Sequence, residues 1–173
     1  MSFYNYDIAV PDVWKVTAMA GAARDLEQRQ HRLADAGLDA LWQFAGIADA
    51  SLVATGAPVT ITQFRVLTMI SRHGSMPVTN LARLVGVAPS TATRMCDRLV
   101  RDKLLSRRAS TEDRRVVTLS LTARGLKIVR DVTAWRREAL MERFATIDPE
   151  RWAALADALE ECAAALAPLG IAP

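Results

Sequence analysis

Between Pro89 and Lys103 the chain carries two kinds of side chain at helical spacing. Ala92, Met95, Cys96, Leu99 and Val100 recur at i, i+3, i+4, i+7 and i+8, one apolar face of an α-helix. The opposite face holds Ser90, Thr91, Thr93, Arg94, Asp97, Arg98 and Arg101. Hydroxyls and guanidiniums in the first turns of a helix can donate to base edges and phosphates, so this helix suits a polyanion. A second cluster follows. Arg107 and Arg108 lie in an extended run, and Arg114 and Arg115 in the polar turn Thr111–Arg115. A basic turn of this kind can reach a narrow groove where phosphates concentrate negative potential.

Charge distribution agrees. Residues 62–125 hold 12 Lys and Arg against 4 Asp and Glu, whereas the remainder holds 10 against 15. One basic block in a chain of formal charge +3 points to an anionic partner for that block, nucleic acid first. Enzyme signatures are absent: no Gly-rich phosphate loop, no nucleophile elbow, and two histidines, His31 and His73, without metal-ligand spacing. The expectation is a non-enzyme with no metal and no cofactor. Two cysteines make no disulfide framework, and the start MSFYNYDIAVPDVW lacks a basic and apolar leader. With no apolar run of membrane-spanning length, the expectation is a cytoplasmic protein.

Periodicity and Gly/Pro punctuation supply the elements around the basic block. A helix-permissive stretch from Pro11 to Arg32 is interrupted by Gly37, and a clearer helix runs from Leu38 to Val53. Another runs from Thr60 to His73 before Gly74. Met76–Val78 is extended, and Thr79 is a candidate cap for a short helix ending at Gly86. After the Pro89–Lys103 helix, Leu104–Ser110 and Val116–Leu121 alternate as a β-hairpin. Thr122 caps a long helix to about Ala145, whose Arg130, Arg136, Arg137 and Arg143 read as a solvated face, with an effector carboxylate as the less favoured use of one of them. Asp148-Pro149-Glu150 opens the last helix. Its stripe of Trp152, Leu155, Leu159, Cys162 and Leu166, spaced three and four apart, resembles a coiled-coil seam.

Leu81-Ala82, Thr91–Leu99 (TATRMCDRL), Asp113-Arg114-Arg115, Leu121-Thr122 and Gly125, in this order of elements, resemble the MarR family of multiple-antibiotic-resistance regulators. The resemblance covers about residues 38–168. It implies a mainly α protein with a small β-hairpin wing: a winged helix–turn–helix domain over 59–122, and a helical dimerisation region over 38–58 and 123–173. Residues 1–37 form an N-terminal extension, an arm or a helix. The resemblance also implies a homodimer on double-stranded DNA, with the Pro89–Lys103 helix in the major groove and Arg115 at the wing tip in the minor groove, oriented by Asp113. The sequence departs from the family pattern at Ala88, where serine often caps the reader helix. It departs again at Leu104, read as the position where glycine often ends that helix.

The resulting expectation is a sequence-specific transcriptional regulator on a pseudo-palindromic operator, favoured as a repressor. Ser90, Thr91, Thr93, Arg94, Arg98, Arg101, Arg107, Arg114 and Arg115 are its DNA-contacting candidates. Arg94 stands evenly between base reader and phosphate clamp. Trp42, Phe44 and Trp135 are candidates to line a pocket for an aromatic effector, although packing is the commoner use of tryptophan. Two other classes fit the same residues: a thiol-based redox-sensing regulator using Cys96 or Cys162, and a winged-helix protein-interaction module that binds no DNA.

Overall fold

The computed structural model describes residues 13–109 and 117–166, with side chains over 23–108 and 117–166. The elements are α1 (Val13–Ala54), α2 (Ile61–His73), β1 (Met76–Pro77), α3 (Val78–Val85), α4 (Pro89–Arg101), β2 (Leu105–Ala109), β3 (Val117–Leu121), α5 (Ala123–Phe144), a 3-10 turn at Pro149–Arg151, and α6 (Trp152–Leu166). The chain divides into two units, one ending at Ala45 and the other starting at Gly46.

In the first unit, α1 does not break at Gly37; the interruption read from the sequence is corrected. One glycine in a helix interior costs only about 1 kcal/mol relative to alanine, and its neighbours Ala34, Ala36, Leu38 and Ala40 are strong or tolerant helix formers. From Ala23 to Ala45 every side chain is exposed except half-buried Ala40. Leu26, Leu33, Leu38 and Leu41 are 58–68% exposed. Asp25 pairs with Arg29 at 2.7 Å, one turn along the helix.

The second unit holds the core. Phe64, Leu67, Met69 and Ile70 of α2 pack with Leu81 and Val85 of α3, Cys96 and Leu99 of α4, and Val129 and Val132 of α5. Leu104, Leu105 and Leu119 close it from the hairpin side. All six of these leucines are 0–2% exposed, and full burial of each contributes about 1.5–3 kcal/mol.

Thr60 starts α2 with a capping box: its hydroxyl accepts from the Gln63 amide, and the Gln63 side chain accepts from the Thr60 amide. β1 pairs with β3, so the predicted hairpin gains a third antiparallel strand in the order β1-β3-β2. Met76 faces Leu119, and Leu105 faces Leu121. That pairing sets Pro77, not Thr79, at the α3 N-cap, and no side chain bonds there.

α4 ends two residues earlier than its periodicity suggested. Lys103 takes the left-handed conformation (φ 59°), the one non-glycine with positive φ among the described residues. Its amide donates to Val100 O at 3.0 Å, and the Leu104 amide donates to Leu99 O at 2.9 Å. This is a Schellman motif, completed by apolar contact between the buried Leu99 and Leu104. The left-handed residue is therefore Lys103, one before the Leu104 position read from the sequence. Leu104 is buried and belongs to the core.

Candidate nucleic-acid interface

α3 and α4 form the helix–turn–helix. Gly86, left-handed at φ 72°, turns the chain between them, and Pro89 occupies the first turn of α4. Ala88 is the N-cap, and no side chain caps this end. Ala92, Cys96 and Leu99 anchor α4 inward. Its outward face presents Ser90, Thr93, Arg94, Arg98 and Arg101, all exposed.

The side chains differ in readiness. Thr93 Oγ1 donates back to Pro89 O at 2.9 Å. Arg94 Nε lies 3.4 Å from Ser90 O, a weak bond that leaves the outer guanidinium edge uncommitted among the described residues. Thr91 is half-buried. With Arg94, Met95, Arg98, Val87, Thr60, Thr62 and Gln63 it lines a shallow cleft of about 440 Å³ between α2 and α4. Arg107 differs from the others. It sits in β2 and is bonded to Asp97 of α4, each side chain being 43% exposed. Arg108 is exposed. Asp113, Arg114 and Arg115 lie outside the described residues.

The C-terminal end of α4 is joined to the start of α5. Thr122, the α5 N-cap, accepts from the Gly125 amide at 3.0 Å. Its hydroxyl donates to Lys103 O at 2.7 Å and lies 3.1 Å from Leu104 O. The Thr122 amide also donates to Leu104 O, at 3.1 Å. Gly125 lies so close that a Cβ there would be 2.2 Å from Leu104 O. The leucine, threonine and glycine of this segment are therefore a joint between two helices.

Sequence reasoning missed the role of Arg136. It is not on the solvated face of α5: its Nε donates to Ser51 Oγ at 2.9 Å, its Nη2 to Ala48 O at 3.1 Å, and its guanidinium stacks 4.6 Å over the Phe64 ring. Burial pulls its pKa down, partly offset by Asp49. One arginine thus ties the end of α1 to α5 and α2. Nothing in the local pattern distinguishes it from Arg130 or Arg137, because its partners lie some 85 residues away in the chain. With Arg65, Arg72, Phe64, Met69 and Thr68 it lines an open cleft of about 360 Å³ along α2, to which Arg136 is the contribution of α5.

On α6 no side chain is buried. Trp152 is 49% exposed, Leu159 45% and Leu166 59%; Leu155 is half-buried and Cys162 exposed. Trp42 (77%) and Phe44 (38%) are exposed on α1, and Trp135 is half-buried on α5. Cys96 is fully buried, and its thiol pKa is pushed up to about 11, first by burial; Arg107 opposes the shift and Asp97 adds to it. Such a thiol is a poor nucleophile. Among the described residues no group of His, Cys, Asp and Glu is placed to hold a metal, and no helix is long and apolar enough to cross a membrane.

A helix–turn–helix whose second helix exposes a cationic face, followed by an antiparallel hairpin packed on the same core, is a winged helix–turn–helix. The MarR family model matches residues 59–117. The HTH-type transcriptional repressor MdtR of Bacillus subtilis (strain 168) is 42% identical over 86 residues, which are 50% of this chain and 55% of MdtR. The HTH-type transcriptional regulator YfiV of the same organism is 30% identical over 108 residues, 62% of this chain and 68% of YfiV. Among solved structures, RV1404 from Mycobacterium tuberculosis superposes with a TM-score of 0.68 at 36% identity, covering 74% of this chain and 88% of that one. The chain belongs to the MarR family. It spans about half the length of MdtR.

Proposed function

We propose that the protein is a sequence-specific DNA-binding transcriptional regulator that works in the cytoplasm as a homodimer on a pseudo-palindromic operator. The observation that carries this reading is the outward face of α4, where Ser90, Thr93, Arg94, Arg98 and Arg101 stand exposed on a helix anchored by Ala92, Cys96 and Leu99. An α-helix fits the major groove, and its first turns meet the base edges, which puts Ser90, Thr91, Thr93 and Arg94 at bases and Arg98 and Arg101 at phosphates. Arg114 and Arg115 are assigned to the adjacent minor groove, with Asp113 orienting Arg115.

Support for the dimer is the unburied apolar stripe of α6 together with the exposed leucines of α1. A 15-residue helix with no buried side chain is marginal alone in water, so α6 needs a partner surface. Two copies related by a two-fold axis would present their α4 helices to half-sites about 34 Å apart. The repressor role is supported by the likeness to MdtR, whose name states that activity.

For release from DNA, the open cleft along α2 that Arg136 borders is a better candidate than the exposed Trp42 and Phe44. It sets Arg65, Arg72 and Arg136 around Phe64 and Met69, which suits an aromatic carboxylate. The redox-sensing alternative is disfavoured at Cys96 by its burial and raised pKa.

The test is duplex binding by fluorescence anisotropy across a salt series, followed by binding-site selection with the purified protein. Salt-dependent binding and a two-fold symmetric consensus are the expected results. Salt-independent or absent binding favours the protein-interaction module instead.

A further inference from the structure

We propose that Asp97 is a positioning residue for the wing, and that Arg107 is its tether rather than a phosphate contact. The second half of this proposal rests on the DNA-binding reading; the first half does not. Asp97 is the single acidic residue in α4, set among Arg94, Arg98 and Arg101. An uncompensated carboxylate there would repel the phosphates that its neighbours attract. Arg107 compensates it. The guanidinium Nη2 donates to Asp97 Oδ1, so the pair adds no net charge to the face.

The position of Arg107 gives the bond a mechanical role. Along β2 it follows Leu105 by two residues, so both lie on the sheet face that packs toward the helices. Leu105 is buried at the strand's beginning, and Arg107 faces Leu119 of β3 across the ladder. Beyond it, the Thr118 hydroxyl donates to Arg108 O, a bond that stays within the hairpin. Among the described residues the Asp97–Arg107 bond is therefore the outermost side-chain bond between the hairpin and α4. It sets the angle at which β2 leaves the reader helix.

The experiment uses the full chain in four forms: wild type, Asp97→Asn/Arg107→Gln, the charge swap Asp97→Arg/Arg107→Asp, and Arg98→Gln as a phosphate control. Amide hydrogen exchange reads the tether directly. The neutral pair should speed exchange of the 105–109 and 117–121 amides by about fivefold to tenfold, the worth of one charge-assisted hydrogen bond, with the α2 core amides unchanged. The swap should restore slow exchange. Exchange equal to wild type in the neutral pair overturns the tether.

Affinity for a mixed-sequence duplex of about 40 base pairs, measured between about 50 and 200 mM NaCl, reads the phosphate question. The neutral pair should keep the wild-type salt slope, whereas Arg98→Gln lowers its magnitude by about 0.9 per protomer. A slope lowered equally in both returns Arg107 to the phosphate contacts and overturns that half. A wild type that shows no salt-dependent binding removes the DNA reading itself, while the exchange data still decide the tether.

Discussion

Replacing Gly125 by alanine should destabilise the protein more than its single added methyl suggests. The new Cβ would stand 2.2 Å from Leu104 O, 3.1 Å from Leu104 C and 3.0 Å from Leu121 Cδ2. A carbon–oxygen contact is comfortable at about 3.3 Å, so α5 and the α4 exit must separate by about 1 Å. The oxygen that has to give way is also the acceptor for the Thr122 amide and lies within reach of the Thr122 hydroxyl. Overpacking against backbone costs about 1–3 kcal/mol. Weakening two hydrogen bonds adds about 1 kcal/mol each. Alanine's better helix propensity returns about 1 kcal/mol. The net loss is about 2–4 kcal/mol, which for a chain of this size lowers Tm by roughly 10 °C. Circular dichroism melts and urea titrations of the two proteins measure it. Gly37→Ala is the control of opposite sign: a Cβ there meets nothing within 4 Å, so helix propensity alone should stabilise by about 1 kcal/mol. A Gly125→Ala protein that melts within about 2 °C of wild type would refute the close-approach argument.

Lys103→Gly should raise stability by about 1 kcal/mol, because a left-handed residue with a Cβ is strained by about that much; an unchanged urea midpoint would deny the strain. Arg94→Ala should weaken binding to a selected operator by about 1–3 kcal/mol and relax the preference at one base pair, and equal losses on random DNA would make it a phosphate clamp. Leu159→Glu should yield monomers with poor DNA affinity, whereas an intact dimer on sedimentation places the interface elsewhere. Iodoacetamide should label the exposed Cys162 at pH 8 and spare Cys96 in the folded protein. The Cys96 pKa is raised from 9.0 to about 11, so the stability that its neutral form contributes is complete below pH 9 and lost as pH climbs from 9 towards 11. Over that interval the wild type should lose more stability than Cys96→Ala, and equal losses would contradict the buried neutral thiol.

The reader module was legible because its signals are local. Ala92, Cys96 and Leu99 repeat at helical spacing, Gly86 and Pro89 punctuate, and Val117–Leu121 alternates; each property lies within a few residues of chain. The α4 exit was misplaced by one residue, since leaving the helix at Lys103 lets Leu104 join the core, and that burial outweighs the strain at lysine. Helix α1 was broken at Gly37 because a glycine was weighed as a stop, although no proline or second turn signal accompanies it. The Arg136 anchor and the Asp97–Arg107 bond join residues far apart in sequence, and no window along the chain holds both partners. Asp97 alone, an acid on a cationic face, was the one local hint of such a bond.

The joint at Thr122 makes α4 and α5 a single mechanical part. Helix α5 has 22 residues, so it is a lever about 33 Å long. A tilt of about 5° about its far end displaces the reader by about 3 Å, nearly the rise of about 3.4 Å of one base pair. Gearing of this kind needs little motion at the far end of the lever. It also means that a substitution near Phe144, about 30 Å from the reader along the helix, can alter the fit to DNA without touching a base.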